Sequence, residues 1–281
     1  MNTKNMYHKN NYFIDTHCHL NLLINPTFGV PLSEQNLIHA QEYIQEAKQN
    51  NVEIIANVGT GIIDTQNCIA LAQHYQNLFV IAGLHPNDLT DNWREDFEFI
   101  KKFVTNKSEN KIVGVGETGI DRYRTSEKLA IQIDSFKAHI ELALEHELAI
   151  VVHTRAAAQE TLVVLEEYKK DNMCCIIHCY PYDIDFAKTV TSFGCYLGIG
   201  GPVTYPNNKQ LPAVVQTIDL AYIVLETDAP YLPPQHMRGQ KNTPAQIFVI
   251  AQEVARIKKV ALAVVAQQTT ANAEKIFKLP T

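Results

Sequence analysis

The feature that most constrains this chain is a regular alternation of short apolar segments with longer segments of helical periodicity. Several short segments are apolar almost throughout, for example Ala-Ile-Val-Val at residues 149–152 and Cys-Cys-Ile-Ile at residues 174–177. A strand that is apolar on both faces is typical of a parallel sheet covered by helices. The predicted strands are residues 12–16, 52–58, 79–83, 112–117, 148–153, 174–178, 195–200 and 222–228.

The segments between these strands favour helices. The clearest is residues 126–146, in which Ile133, Phe136 and Ile140 fall on one face at helical spacing. After the last strand, Thr243 followed by Pro244 predicts an N-cap with proline at the first helical position. The predicted helices are residues 33–49, 64–75, 95–104, 126–146, 156–169, 183–193, 209–217, 244–257 and 261–277.

The number of repeats indicates the fold class. Eight strand–helix alternations in 281 residues favour a (β/α)8 TIM barrel of the α/β class. An open doubly wound sheet is the alternative, but it more commonly has fewer strands. Because no low-complexity segment, flexible linker or fixed-period repeat divides the chain, we expect a single domain over residues 1–281, with a polar tail at residues 1–11.

Composition narrows the class of protein. Hydrophobic residues make up 46% and charged residues 19% of the chain, which suits a globular protein with a sizeable core. The net charge of −6 argues against a surface that coats nucleic acid, although metal ions can supply positive charge locally. Six cysteines without Cys-x-x-Cys spacing favour a reducing, cytoplasmic setting. We expect no membrane segment, since no apolar run reaches membrane length. We also expect no obligate protein partner.

Side chains that can bind metal ions follow most of the predicted strands. In barrel enzymes the active site is built at the carboxyl ends of the strands. Unpaired polar groups at the mouth of a packed core are costly, so their regular placement indicates a shared function. These residues are His17, His19, His85, Glu117, His153, His178 and Asp228.

The His-x-His pair at the first strand is weak evidence on its own. With 11 histidines in the chain, roughly 0.4 such pairs are expected by chance. Residues i and i+2 of a strand share a face, so His17 and His19 can bind one cation. Asp15 should share that face one step deeper, where we expect it to orient a histidine from behind. His8, in the tail, and His39, His74, His139 and His146, in helical segments, are expected to be structural.

Six motifs in order resemble the TatD family of metal-dependent deoxyribonucleases, within the amidohydrolase-like metallo-hydrolases. They are His-x-His, Gly-Leu-His-Pro (83–86), Gly-Glu-Thr-Gly-Ile-Asp (116–121), Val-His-Thr-Arg (152–155), Ile-His-Cys-Tyr (177–180) and Leu-Glu-Thr-Asp-Ala-Pro-Tyr-Leu (225–232). The resemblance runs from residue 14 to the segment 272–277 and includes Arg-Gly-Gln-Lys-Asn at 238–242.

The resemblance implies a site for two divalent metal ions, with Glu117 as the bridging carboxylate. Its expected ligands are His17, His19, Glu117 and Asp228 for the first ion, and Glu117, His153 and His178 for the second. It also implies DNA cleavage, often from the 3′ end, supported by Mg²⁺. The imidazole ligands suit Zn²⁺ or Mn²⁺ better than Mg²⁺, so the metal identity stays open.

Three further residues receive roles near the predicted ions. Asp228 is the expected general base, since a carboxylate that touches both ion and water can accept a proton. His85 is expected to contact the scissile phosphate, or alternatively to be a structural turn histidine. Glu226 either supports a metal ligand or is a buried structural carboxylate tied to backbone.

Loops after strands 4, 5 and 8 carry cationic side chains on the presumed active face. Arginine binds phosphate through two parallel hydrogen bonds, so these residues are candidates for contacting the DNA backbone, with surface solvation as the alternative. They are Arg122, Arg124, Arg155, Arg238 and Lys241. Aromatic candidates for stacking on unpaired bases are Tyr123, Tyr180, Tyr182, Tyr205 and Tyr231.

Two other functions remain open at this stage. A hydrolase of a small phosphoester, lactone or amide could use the same scaffold, because activated water attacks carbonyl and phosphoryl centres alike. The second alternative is a metal-binding scaffold without catalysis. The basic segment 238–242 favours a phosphate-containing substrate.

Overall fold

The computed structural model describes residues 12–171 and 173–279, so the predicted tail and its His8 lie outside the described residues. Eight parallel strands pair in chain order, each with the next. Their bounds are β1 Phe13–Cys18, β2 Val52–Gly59, β3 Leu78–Ala82, β4 Ile112–Asp121, β5 Ala149–Arg155, β6 Cys175–Ile177, β7 Tyr196–Ile199 and β8 Ile223–Leu225. The predicted order of strands is therefore confirmed.

The last strand returns to the first through individual hydrogen bonds. The Asp228 amide donates to the His17 carbonyl at 2.8 Å, and the His19 amide donates to the Ala229 carbonyl at 2.7 Å. Lower down, the Thr16 hydroxyl donates to the Leu225 carbonyl at 3.0 Å. The sheet is thus a nearly closed barrel, and the predicted (β/α)8 TIM barrel is confirmed.

Helices follow the strands at the predicted places. They are α1 Leu20–Ile24, α2 Glu34–Gln49, α3 Ile62–His74, α4 Trp93–Thr105, α5 Lys107–Asn110, α6 Leu129–Glu145, α7 Ala158–Tyr168, α8 Ile184–Ser192, α9 Gln210–Thr217, α10 Ile247–Lys258 and α11 Leu262–Phe277. The short α1 and α5 were not predicted, because four or five residues are too few to establish a helical period. None of the described helices is long and apolar enough to cross a membrane.

Two of the predicted helices begin with a 3-10 turn in the structure. The segment 126–146 opens as a 3-10 turn, Ser126–Lys128, before α6 begins. Thr243 occupies the predicted N-cap position, but its side chain makes no capping hydrogen bond, and a 3-10 turn, Pro244–Gln246, precedes α10. Proline without an amide hydrogen suits such a first turn.

Apolar side chains fill the barrel beneath its carboxyl end. Ile14, Val58 and Val151 belong to an interior cluster that Ile276 and Phe277 of α11 join. A larger cluster packs the outer faces of the strands against the helices. Because the interior is packed in this way, polar chemistry is confined to the carboxyl ends of the strands.

His139 lies in α6 and is fully buried, as a structural histidine should be. Its Nε2 accepts the Leu84 amide at 3.1 Å, and Nδ1 donates to the Ser135 carbonyl at 2.7 Å. In the neutral form of the imidazole, each ring nitrogen therefore takes part in one hydrogen bond. Burial lowers the pKa of His139 to about 4, so the ring is neutral at physiological pH.

Candidate metal centre

Strand β1 delivers the two histidines of the His-x-His pair to one point. Their Nε2 atoms lie 3.3 Å apart. His17 Nε2 is 3.4 Å from Glu117 Oε2, and His19 Nε2 is 3.4 Å from Asp228 Oδ1. The His19 ring is held from behind, since its Nδ1 hydrogen-bonds to the Val58 carbonyl at 3.0 Å. The pair therefore joins residues from β1, β4 and the loop after β8.

Asp15 contacts His17 at its backbone amide and not at its imidazole ring, so its expected role in orienting that histidine stays a prediction. The pairing of β1 with β2 shifts register between Asp15 and Cys18, so strict alternation does not extend from Asp15 to His17. The Asp15 carboxylate instead accepts the backbone amides of His17 and Thr227 at 3.2 and 3.0 Å, and the Thr227 hydroxyl at 2.6 Å. It ties β1 to the end of β8. Burial raises the pKa of Asp15 to about 8 against these hydrogen bonds.

Glu117 stands at the centre of the cluster and is 3% exposed. The register in which β4 pairs with β5 shifts between Val115 and Thr118, which indicates a β-bulge. Gly116, at φ +140°, allows this bulge, because a Cβ there would lie 2.4 Å from the Val151 carbonyl oxygen. The carboxylate of Glu117 is thereby held within the barrel mouth.

The charge state of Glu117 follows from its neighbours. Burial alone would raise its pKa. The imidazoles of His178 and His85 and a hydrogen bond with His153 outweigh burial and hold the pKa well below its usual range. Glu117 is therefore an ionised carboxylate surrounded by imidazoles.

His153 lies between two carboxylates. Its Nδ1 is 2.8 Å from Glu117 Oε1, and its Nε2 is 3.2 Å from Asp121 Oδ2. Asp121 is fully buried and also accepts the Asn87 side-chain amide at 3.0 Å and the Arg124 backbone amide at 2.9 Å. Burial opposes a charge on His153, but these two carboxylates raise its pKa.

Asp121 is a site residue that the sequence analysis missed. A signal was present, since Asp121 closes the Gly-Glu-Thr-Gly-Ile-Asp motif four residues after Glu117. In an extended strand that spacing places both carboxylates on one face. We had ended the predicted strand at Glu117, whereas β4 continues to Asp121.

His178, after β6, faces the cluster through Nε2, which lies 3.7 Å from Glu117 Oε1. Its Nδ1 is 3.1 Å from Oε1 of the fully buried Glu226, which also accepts the Cys179 backbone amide at 2.6 Å. Both alternatives for Glu226 therefore hold, since it contacts a ring and backbone alike. Burial opposes protonation of His178, but Glu226 and Glu117 raise its pKa to about 10.

Asp228 follows β8 in a left-handed backbone conformation, at φ 56°. Its Oδ1 lies 3.9 Å from Nε2 of both His17 and His178. Burial opposes ionisation, but the hydrogen bond with His19 and the nearby imidazoles lower its pKa. Its side chain is 13% exposed, against 4% for Glu117, so solvent reaches this carboxylate more readily.

His85, in the loop after β3, also contacts Glu117. Its Nε2 is 3.5 Å from Glu117 Oε1, and its Nδ1 accepts the Asn87 amide at 3.2 Å. Because Nδ1 is an acceptor, the proton of the neutral ring is on Nε2, which faces the cluster. His85 is therefore in place to donate a hydrogen bond there.

These side chains fit divalent cations. Glu117 belongs both to a group with His17 and His19 and to a group with His85 and His153, and in each group the ligand atoms lie within 4.8 Å of one another. Several spacings are near 3.4 Å, as expected for atoms each about 2.1 Å from one ion. Imidazole nitrogen and carboxylate oxygen suit Zn²⁺, Mn²⁺ or Fe²⁺, and the carboxylates also suit Mg²⁺.

The predicted DNA-binding cations surround the cluster without entering it. Arg124, Arg155, Arg238 and Lys241 are exposed. The Arg155 guanidinium lies 4.0 Å above the Tyr123 ring, and that of Arg238 lies 4.7 Å from the Tyr205 ring centre. Arg122 differs, because it forms an ion pair with Glu160 and is partly neutralised.

Four of the five predicted stacking tyrosines fall into two groups. Tyr123 and Tyr231 are exposed, and the Tyr231 ring centre lies 6.0 Å from that of His19. Tyr180 is buried and its hydroxyl donates to the Asp183 carbonyl, while the Tyr182 hydroxyl accepts the Ala157 amide. These last two are therefore parts of the loop framework rather than exposed stacking platforms.

Comparison with known proteins agrees with this site. The family model described as "TatD related DNase" matches residues 14–278. The uncharacterized metal-dependent hydrolase YabD of Bacillus subtilis is 31% identical over 265 residues, covering 94% of this chain and 98% of YabD. The uncharacterized metal-dependent hydrolase YcfH of Escherichia coli K12 is 30% identical over 270 residues, covering 95% and 96%.

A solved structure extends the likeness to three dimensions. YJJV, a TatD homologue from Escherichia coli K12, superposes with a TM-score of 0.84 at 25% identity, covering 95% of this chain and 98% of YJJV. Sequence, fold and the clustered histidines and carboxylates thus agree. The chain belongs to the TatD-related DNase family and is a metal-dependent hydrolase.

Proposed function

We propose that this hydrolase is a deoxyribonuclease that cleaves phosphodiester bonds of DNA from the 3′ end and uses two divalent metal ions. One observation carries the proposal: Glu117 belongs to two groups of possible ligand atoms at the barrel mouth, one with His17 and His19 and the other with His85 and His153. Exposed arginines at the same end of the barrel and the family name support a phosphate-containing polymer as substrate.

The chain offers ligands for each ion. His17, His19, Glu117 and Asp228 hold the first. As the family resemblance implies, Glu117, His153 through Nδ1 and His178 through Nε2 would hold the second, since both imidazoles face the same Glu117 oxygen. Divalent ions, when bound, polarise the phosphoryl oxygens and make a bound water more acidic. We propose Mg²⁺ as the working metal, with Zn²⁺ or Mn²⁺ as alternatives that the imidazoles favour.

Asp228 accepts the proton of the attacking water. Its carboxylate is ionised, because its pKa is lowered despite burial. It is also the more solvent-accessible of the two carboxylates that contact the His17 and His19 rings. A general base must combine reach and the correct protonation state, and Asp228 has both.

His85 stabilises charge on the phosphate. Its Nε2 carries the ring proton, because Nδ1 accepts the Asn87 amide. The ring is 14% exposed, so a substrate oxygen can approach Nε2. Farther out, Arg124, Arg155, Arg238 and Lys241 contact the backbone of the DNA, since they are exposed cations.

The test uses metal-reconstituted protein with single- and double-stranded DNA and RNA labelled at either end, together with bis(p-nitrophenyl) phosphate. We expect DNA to shorten progressively from the 3′ end. Asp228→Asn should lower kcat by about 100-fold or more, since it removes the base. Failure to cleave any DNA with Mg²⁺, Mn²⁺ or Zn²⁺ refutes the proposal, and cleavage of the small diester alone selects a small-phosphoester hydrolase.

A further inference from the structure

A cavity of about 210 Å³ opens beside the metal centre, between the loops that follow β6 and β7. Cys179 and Tyr180 line one side, and Pro202 and Leu211 line the other. Cys179 directly follows His178, and its sulfur lies within 4.8 Å of ligand atoms of His178 and Asp228. Cys179 is therefore shared by the wall of the cavity and the surroundings of the metal centre.

The size of the cavity restricts its ligand. Sites for drug-sized molecules typically measure roughly 300 to 1,000 Å³. A cavity of about 210 Å³ is smaller and suits a single flat ring system. It does not suit a folded peptide or a long lipid chain.

The lining mixes apolar and uncharged polar residues, and one side-chain amide is available to a ligand. The hydroxyls of Tyr180 and Tyr182 bond within the protein, so neither hydroxyl is available to a ligand. Both amide atoms of Asn208 are also engaged, with Pro202 and Leu211. Gln210 makes only a 3.5 Å contact from Nε2 to the Pro181 carbonyl, and its Oε1 accepts no hydrogen bond from the described residues. Its amide can therefore pair with the polar edge of a ligand.

The cavity also lacks charge, in contrast to a second cavity of the same size at the same end of the barrel. None of the described residues that line the first cavity is Asp, Glu, Lys or Arg. The second is lined by Asp64, Asp88 and Asp96 beside His85. The first cavity offers a phosphate no cationic side chain, and the carboxylates of the second cavity repel a phosphate. The uncharged cavity is suited to a neutral ligand.

A cation and an aromatic ring stand close to the uncharged cavity. Tyr205 lies between Pro202 and Asn208, and hydrogen bonds join its backbone to both. Its hydroxyl donates to the Pro233 carbonyl, and the Arg238 guanidinium lies 4.7 Å from its ring centre. A ligand with a neutral flat part and an anionic part matches this arrangement.

We propose that this cavity is a nucleobase subsite, which holds the unpaired base of a nucleotide adjoining the scissile phosphate. The Gln210 amide pairs with the base edge, and Arg238 contacts the neighbouring phosphate. This inference rests on the proposed nuclease function and adds that the enzyme recognises a base as well as the backbone. It also requires single-stranded DNA at the site, because a paired base cannot enter the cavity.

The test compares oligodeoxynucleotides that carry either a normal or an abasic residue at the 3′-terminal or the penultimate position. We expect kcat/KM to fall about tenfold or more for one abasic position, because the contact of that base with the protein is lost. The variant Gln210→Trp covers the cavity, and Gln216→Trp, exposed on the same helix, is the matched control. The ratio of kcat/KM for the oligonucleotide to that for bis(p-nitrophenyl) phosphate should fall about tenfold in Q210W only.

Binding of deoxyadenosine and thymidine to the metal-loaded protein, followed by NMR, gives a second readout, with 2-deoxyribose as the base-free probe. We expect nucleosides, but not the sugar, to shift signals of Gly200 and Leu211, and Q210W to abolish the shifts. Equal cleavage of normal and abasic substrates overturns the subsite while the nuclease proposal stands. If no DNA is cleaved, the nuclease proposal fails, and the absence of Gln210-dependent nucleoside shifts then overturns the subsite independently.

Discussion

Asp121 Oδ2 lies 3.2 Å from His153 Nε2, and this contact decides which nitrogen of His153 faces the metal centre. With Nε2 held by Asp121, Nδ1 points to Glu117 at 2.8 Å. A carboxylate behind a ligating imidazole fixes its tautomer and orientation and increases its basicity. The Asp121 carboxylate is itself held by hydrogen bonds from Asn87 and from backbone amides, so its position, and with it the orientation of the His153 ring, is well defined.

The first prediction follows from this contact. Asp121→Asn keeps the volume but replaces an anionic acceptor of His153 Nε2 with a neutral amide. We expect affinity for the second metal ion to fall about 10- to 100-fold, measured by titration with Zn²⁺ or Mn²⁺. Asp91→Asn is the control, because Asp91 is exposed and its side chain makes no hydrogen bond or ion pair with the described residues. Unchanged affinity in D121N contradicts the role assigned to Asp121.

The second prediction concerns Gly198 in β7. A Cβ there would lie 2.1 Å from Glu226 Oε2, so Gly198→Ala must displace the carboxylate that contacts His178. We expect weaker binding at the second ion and a lower melting temperature. Gly61→Ala is the matched control, since a Cβ at Gly61 meets nothing within 4 Å. Normal metal content in G198A indicates that Glu226 does not position His178.

The third prediction tests the proposal of two ions. His17→Ala removes a proposed ligand of the first ion, while His153 and His178 still face Glu117. We expect the number of tightly bound ions per chain to fall from two to about one, as measured by elemental analysis after gel filtration. His74→Ala, at the exposed end of α3, should retain both ions. Loss of all metal from H17A indicates a single site that requires His17.

The fourth prediction concerns the pH dependence of folding. The pKa of His139 falls to about 4 in the folded protein, so its folded state binds fewer protons than its unfolded state. Its contribution to the free energy of unfolding is therefore present above about pH 6.5 and is lost as pH falls towards about 4, to a total of about 3 kcal/mol. We expect the free energy of unfolding, measured with denaturant at several pH values, to change less steeply with pH in His139→Gln than in the wild type over this range. His74→Gln is the control, and equal slopes in H139Q and wild type rule out the assignment.

Several site residues could be located from the sequence because their positions depend on local chain properties. Apolar runs set the strands, and a residue just after such a run lies at the carboxyl end of the barrel. This argument placed His85, His153 and His178 at one face, and the structure brings each within 4 Å of Glu117. Alternation within a strand paired His17 with His19, whose Nε2 atoms are 3.3 Å apart.

Other features depend on how strands meet, which no local pattern records. With the register shift in β1, the Asp15 carboxylate accepts the backbone amides of His17 and Thr227, and the full length of β4 brings Asp121 to His153. The approach of Gly198 to Glu226 is a cross-strand contact between β7 and the end of β8. The sequence by itself determined the barrel and the residues at its mouth, because hydrophobic period and strand ends are properties of neighbouring residues. Only the tertiary structure decided which nitrogen of each histidine faces the centre and which carboxylate holds it, because these contacts join residues far apart in the chain.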